Sequence, residues 1–167
     1  MSKSAPKTDV ELKDEILALL DEHRVMSVAT MRDDGWPQVT MVNYVHDGLI
    51  VYFAIARNSQ KFANIERDPR VSIAIGHETR RRIRGLSMAA RVSPVADIDE
   101  VQHLNALILA RYAEQVVFAP REDSAVLLRA TPAIISVIDL TKGPGRPQLV
   151  RVLGETAVQR TEDSQWA

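Results

Sequence analysis

Arg57, Ser59, Gln60 and Lys61 form the stretch of this sequence best suited to hold a ligand. They follow an apolar run that ends at Ile55 and open a short helical pattern. A hydroxyl at a helix start, free backbone N–H groups and a lysine two residues on make a ready anion site. The chemistry would be that of a phosphate cradle, with Arg57 adding charge if its side chain turns inward. The same residues also make an ordinary helix cap with a solvated Lys61, and spacing alone leaves both readings open.

Other chemistry-bearing residues are less organised. His23, His46, His77 and His103 show no helical pair spacing of the kind that binds a metal, so they are expected to be scattered and no metal site is expected. No serine sits in a nucleophile-elbow pattern, which leaves hydrolase chemistry without support. Arg80, Arg81, Arg82 and Arg84 crowd one short span, read as a solvated turn or as a surface for a polyanionic ligand.

The elements that must position these residues follow from periodicity. Thr8 and Glu11 form a capping-box pattern, and the apolar spacing from Val10 to Leu20 predicts a helix ending near His23. Val25 to Met31 reads as a strand. Asp34-Gly35 turns into one long strand from Trp36 to His46, and Asp47-Gly48 makes a hairpin into Leu49 to Ile55. Consecutive hairpins make a meander and argue against a βαβ unit. Ser59 caps a short helix that Asp68-Pro69 stops. Val71 to His77 and Leu86 to Val95 are expected strands. A helix capped by Asp97 runs to about Tyr112, and a third helix is expected from Arg121 to Leu128. Strands from Ala133 to Leu140 and Leu149 to Leu153 flank a Gly/Pro loop. Six or seven antiparallel strands with peripheral helices point to an α+β, mainly β, barrel, since closure removes strand edges.

Composition narrows the function classes. The chain has 167 residues, 46% hydrophobic and 26% charged, which fits one globular domain. A formal charge of −1 gives no electrostatic case for nucleic acid. With no cysteine, disulfides and thiolate chemistry are excluded, and a reducing cytoplasm is the expected setting. No apolar run nears the roughly 20 residues that span a bilayer. Residues 1–8 are polar, lack the apolar middle of a signal peptide and are expected to be disordered. Residues 155–167 read as a frayed polar tail, which leaves 9–154 as the domain.

Ala29-Thr30, Asp34-Gly35-Trp36-Pro37, Asp47-Gly48, Ser59-Gln60-Lys61 and Asp68-Pro69-Arg70-Val71-Ser72 occur in that order. This set resembles the pyridoxamine 5′-phosphate oxidase-like, FMN-binding split-barrel family, over roughly Glu11 to Val152. The resemblance implies an antiparallel split β-barrel and a homodimer with cofactors at the interface. It implies that Gln38, Val39, Thr40, Met41, Val42 and Asn43 lie along the flavin ring, with Ala54 and Ile55 nearby. It implies that Ser59 and Lys61 hold the phosphate, with Gln60 beside them. Contributions from the other subunit would come from Arg84 to Met88 and Gln148 to Arg151.

The sequence departs from the family at Gln60 and Gln38, where arginine is common. It also lacks the arginine- and tryptophan-rich C-terminal signature that recognises a pyridoxal substrate, so vitamin B6 oxidation is not part of the expectation. The leading expectation is an FMN-dependent oxidoreductase acting on a small molecule, with neither nucleic acid nor membrane as partner. The cofactor would carry the redox chemistry, which explains the lack of a side-chain catalytic signature. Two alternatives stand beside it. One is the same fold using F420, its acidic tail met by Arg80 to Arg84. The other is a non-catalytic flavin or haem binder, for which His46 and His77 are the axial candidates.

Overall fold

The computed structural model describes residues 7–79, 82–112, 124–140 and 147–161. Helix α1 (Asp9–Glu22) begins as its sequence predicts. The Thr8 N–H donates to the Glu11 carboxylate at 2.7 Å, and the Glu11 N–H returns a bond to Thr8 Oγ1 at 3.3 Å. Leu12, Ile16, Leu19 and Leu20 are fully buried on one face of α1. They join the inward-facing strand residues in a single core.

Nine strands form one antiparallel sheet: β1 (Val25–Met31), β2 (Pro37–Asn43), β3 (Val45–Asp47), β4 (Ile50–Ala56), β5 (Arg70–Thr79), β6 (Arg82–Pro94), β7 (Ala125–Asp139), β8 (Gln148–Leu153) and β9 (Ala157–Arg160). The order is β2-β1-β5-β6-β7-β4-β3, with β8 and β9 extending from the far half of β7. Its two ends, β2 and β3, are consecutive in the chain, so the sheet curls back on itself as a barrel. Helix α2 (Gln60–Arg67) packs on β1 and β4. Helix α3 (Ile98–Arg111) lies outside, over a second cluster of Val45, Ile50, Tyr52, Leu104 and Leu127. The expected α+β split barrel with peripheral helices is the fold observed.

Several elements differ from the sequence expectation. The long strand from Trp36 to His46 is two strands, broken at Tyr44. The Tyr44 side chain is buried and its hydroxyl donates to the Leu20 carbonyl at 2.8 Å, while its N–H donates to the Arg24 carbonyl at 3.2 Å. These bonds pull the chain beneath α1, so β2 stays with β1 and β3 moves to β4.

The expected helix at Arg121 to Leu128 is overturned at its far end: Ala125 to Leu128 open β7 and pair with Ala56 through Phe53 of β4. Val126 and Leu128 enter the barrel core, and Leu127 faces α3. A strand covered on both faces loses its alternation, and its apolar run imitates a helix. Residues 121–123 lie outside the described set, as do 141–146 of the expected loop.

Arg84 was expected in a turn, yet it lies in β6 opposite His77. The tail expected to fray after Gly154 carries β9. Val158 is buried there, and the Arg160 N–H donates to the Asp9 carboxylate at 2.9 Å. Four residues with one apolar side chain facing the core are too short a pattern to read as a strand.

Candidate functional site

The barrel is split between β2 and β4. Among the described residues β2 pairs with β1 alone. On the facing side β3 pairs with β4 only as far as Tyr52, which leaves Phe53 to Ala56 without a partner on that edge. Backbone N–H and C=O groups that find no partner within the protein are open to water or to a ligand. The chain leaves β4 at Ala56 and enters α2 at Gln60, four residues later, so the helix N-terminus stands at the end of the split.

At that N-terminus Ser59 Oγ accepts from the Phe62 N–H at 3.2 Å. The N–H groups of Gln60 and Lys61 take no partner among the described residues, as first-turn donors do not within a helix. Lys61 is only 8% exposed, and no carboxylate or other acceptor among the described residues meets its ammonium. Burial alone pulls its pKa below the ordinary lysine value. A cation partly withdrawn from water without a counter-charge is disfavoured, and a bound anion would offset that cost. Arg57 stacks over the Phe62 ring, with its guanidinium carbon 5.7 Å from the ring centre, which puts a second positive charge at the same turn.

A buried polar chain ties this turn to β2. Gln60 donates to Asn64 Oδ1 at 3.0 Å. The Asn64 amide donates to Thr30 Oγ1 at 3.0 Å and to Gln38 Oε1 at 3.2 Å. Asn64 is fully buried and Thr30 nearly so. Sequence reasoning passed over both. The available signal was a polar residue one turn after Gln60, on the helix face that also carries Lys61 and Ile65.

The structure places the other expected site residues as follows. On β2, Gln38, Thr40 and Val42 point inward and half-buried, while Val39, Met41 and Asn43 point out. Thr40 Oγ1 is shielded from solvent and has no hydrogen-bond partner among the described residues. Val42, Asn43 and Ala54 line a cavity of about 150 Å³ together with Tyr52, Ile108 and Tyr112. The Ile55 side chain lies in the barrel core, so it offers the split only its backbone. Thus Gln38 and Gln60 share one network, Val42, Asn43 and Ala54 share one cavity, and Ser59 and Lys61 share one helix turn.

The histidines are not all scattered. His77 Nδ1 lies 3.3 Å from His23 Nε2, a pairing that the fold creates from positions far apart in sequence. His46 is held at both ring nitrogens, by Asp21 at 3.0 Å and by the Gly48 carbonyl at 3.1 Å. His103 meets Asp47 at 2.9 Å. No helix among the described residues is long and apolar enough to cross a membrane.

Comparison with known proteins agrees with this architecture. General stress protein 26 of Bacillus subtilis is 34% identical over 68 residues, which cover 41% of this chain and 48% of that protein. The match therefore spans about half the length of that curated relative. The crystal structure of General Stress Protein 26 from Bacillus anthracis superposes with a TM-score of 0.66 at 21% identity, covering 85% of this chain and 99% of that one. A heme binding protein from Mycobacterium smegmatis superposes with a TM-score of 0.71 at 19% identity, covering 89% of this chain and 60% of that one. At these identities the two structures speak for the fold alone. The family model described as pyridoxamine 5′-phosphate oxidase matches residues 12–139, from the first buried leucine of α1 to the end of β7. With the split barrel complete within that span, the chain belongs to the pyridoxamine 5′-phosphate oxidase family.

Proposed function

We propose that this protein binds FMN across the split between β2 and β4 and works as a flavin-dependent oxidoreductase. The observation that carries the reading is Lys61, a largely buried lysine at a helix N-terminus that meets no counter-charge among the described residues. A phosphate dianion suits it, and the free N–H groups of Gln60 and Lys61 suit the phosphate oxygens. Arg57, against Phe62, supplies charge that Gln60 does not. The unpaired edges of β2 and β4 offer backbone donors and acceptors to a flat polar ring edge, and Thr40 Oγ1 offers one more group in need of a partner. When bound, the flavin supplies hydride or electron transfer. The chain's part is to orient the ring, exclude water and tune it by hydrogen bonds.

Haem is the second reading, since a structural relative is named for binding it. Against it, both ring nitrogens of His46 are engaged, and His77 faces His23. The F420 reading rested on Arg80 to Arg84. Arg80 and Arg81 lie outside the described residues, and Arg84 is paired with Glu22 at 3.1 Å. An absorption spectrum of the purified protein, with mass analysis of whatever heat releases, separates the three. Twin bands in the blue and near ultraviolet with FMN released are expected. A colourless protein that leaves added FMN unbound overturns the proposal.

The homodimer belongs to the same proposal. Met41 is 72% and Val39 62% exposed on the outer face of β2, and Trp36 just ahead of the strand is 72% exposed, an apolar patch that water covers poorly. A second copy over β2 would bury it and complete the site from outside. Met41→Glu is therefore expected to shift the mass measured by light scattering from two chains toward one, with flavin affinity falling alongside. A parent protein that runs as a monomer at micromolar concentration would refute the dimer.

A further inference from the structure

Far from the split, the end of α1 meets the β5–β6 ribbon, and three metal-ligating side chains gather there. Glu22 closes α1, His23 is its C-cap and His77 lies on β5. One donor atom from each lies within 4.8 Å of the other two. We propose that Glu22, His23 and His77 form a surface site for a borderline divalent metal ion of the zinc type, with water completing its coordination.

The distances favour a shared ion. Two imidazole nitrogens bound to one tetrahedral zinc at about 2.0–2.1 Å stand about 3.3–3.4 Å apart. His23 Nε2 and His77 Nδ1 already stand 3.3 Å apart, with ring centres at 4.8 Å and an interplanar angle of 60°. Little reorganisation of the rings is then needed. Glu22 is the mobile ligand. Its Oε2 accepts from Arg84 at 3.1 Å, and its Oε1 lies 3.9 Å from His77 Nε2, the ring nitrogen away from His23, so the carboxylate must swing toward Nδ1 to join the ion. Arg84 opposes a cation by its charge, yet it also holds the carboxylate in place, as outer partners of metal ligands do.

The backbone fixes this arrangement. Gly76 and Gly85 face each other across the ribbon, and a Cβ on Gly85 would come within 2.3 Å of the Ile75 carbonyl oxygen. Only a glycine pair allows this close approach, which sets His77 and Arg84 directly opposite one another beside α1. The C-terminal end of α1 adds the negative pole of its dipole and carries no basic residue in its last turn.

An ion here would clamp α1 to the ribbon and stabilise the fold by mass action. The test is calorimetric titration of zinc chloride into the chelator-treated, full-length protein, with thermal melts alongside. One ion per chain and a raised melting temperature are expected. His23→Ala and His77→Ala are each expected to weaken binding more than about tenfold, whereas His103→Ala leaves it unchanged. His77→Gln repeats the test with a side chain of similar size, should the alanine variant lose the parent's circular dichroism. Zinc uptake that is absent in the parent, or equal in the His23→Ala/His77→Ala double variant, overturns the site.

Discussion

Lys61→Met is expected to weaken FMN binding by roughly 10- to 100-fold, the range of a hydrogen bond to a charged group, and at the same time to raise the melting temperature of the cofactor-free protein. The two effects share one cause. In the free protein the ammonium has lost part of its water and meets no counter-charge among the described residues. Methionine fills a similar volume without that penalty. In the complex the phosphate supplies the missing partner, and methionine cannot answer it. An ordinary solvated cap lysine would give neither effect.

The pH dependence has a definite sign. The folded pKa of Lys61 lies below its unfolded value. Between the two the unfolded chain holds more protons, so stability of the cofactor-free protein rises with pH across that interval. Below the folded pKa the penalty is fully present, and in Lys61→Met the rise is absent. Flavin affinity runs the opposite way, falling as the ammonium loses its proton. Fluorescence titration of FMN at several pH values, with melts of both proteins, measures all of this. Equal affinity in parent and variant would leave the phosphate cradle without support.

Much of the architecture was written in short patterns. Thr8 with Glu11, Ser59 and Asp97 mark their helix starts by local hydrogen bonding, and each does so in the structure, while the hairpin expected at Asp47-Gly48 turns one residue later, at Gly48 and Leu49. What could not be read locally depends on distant partners. The break at Tyr44 exists because the Leu20 and Arg24 carbonyls take its two donors. The opening of β7 looked helical because α3 covers the strand's second face at Leu127. His23 and His77 meet because the end of α1 packs beside β5, a contact between positions 54 residues apart. The site divides in the same way. Ser59 and Lys61 were legible from spacing, whereas the burial that makes Lys61 a candidate anion binder comes from α2 packing on β1 and β4.

Asn64→Ala is expected to cost about 2–4 kcal/mol, since it removes several buried hydrogen bonds worth about 1 kcal/mol each and leaves partners unsatisfied. For a chain of this length that corresponds to a fall in melting temperature of roughly 5–12 °C. Asn64 is the hub at which Gln60, Thr30 and Gln38 meet, so it fixes α2 against both β1 and β2. Losing it frees the phosphate-facing turn to move relative to the strand that would lie along the ring, and flavin affinity should fall several-fold although no ligand contact is deleted. Thr30→Val removes one spoke and should cost about 1 kcal/mol. In the double variant the costs should not add, because Thr30 has already lost its partner, and a coupling of roughly 0.5 kcal/mol or more is expected. Chemical denaturation of the four proteins closes the cycle. Additive losses would mean that Asn64 stabilises α2 by itself, and the link from helix turn to β1 through Thr30 would have to be given up.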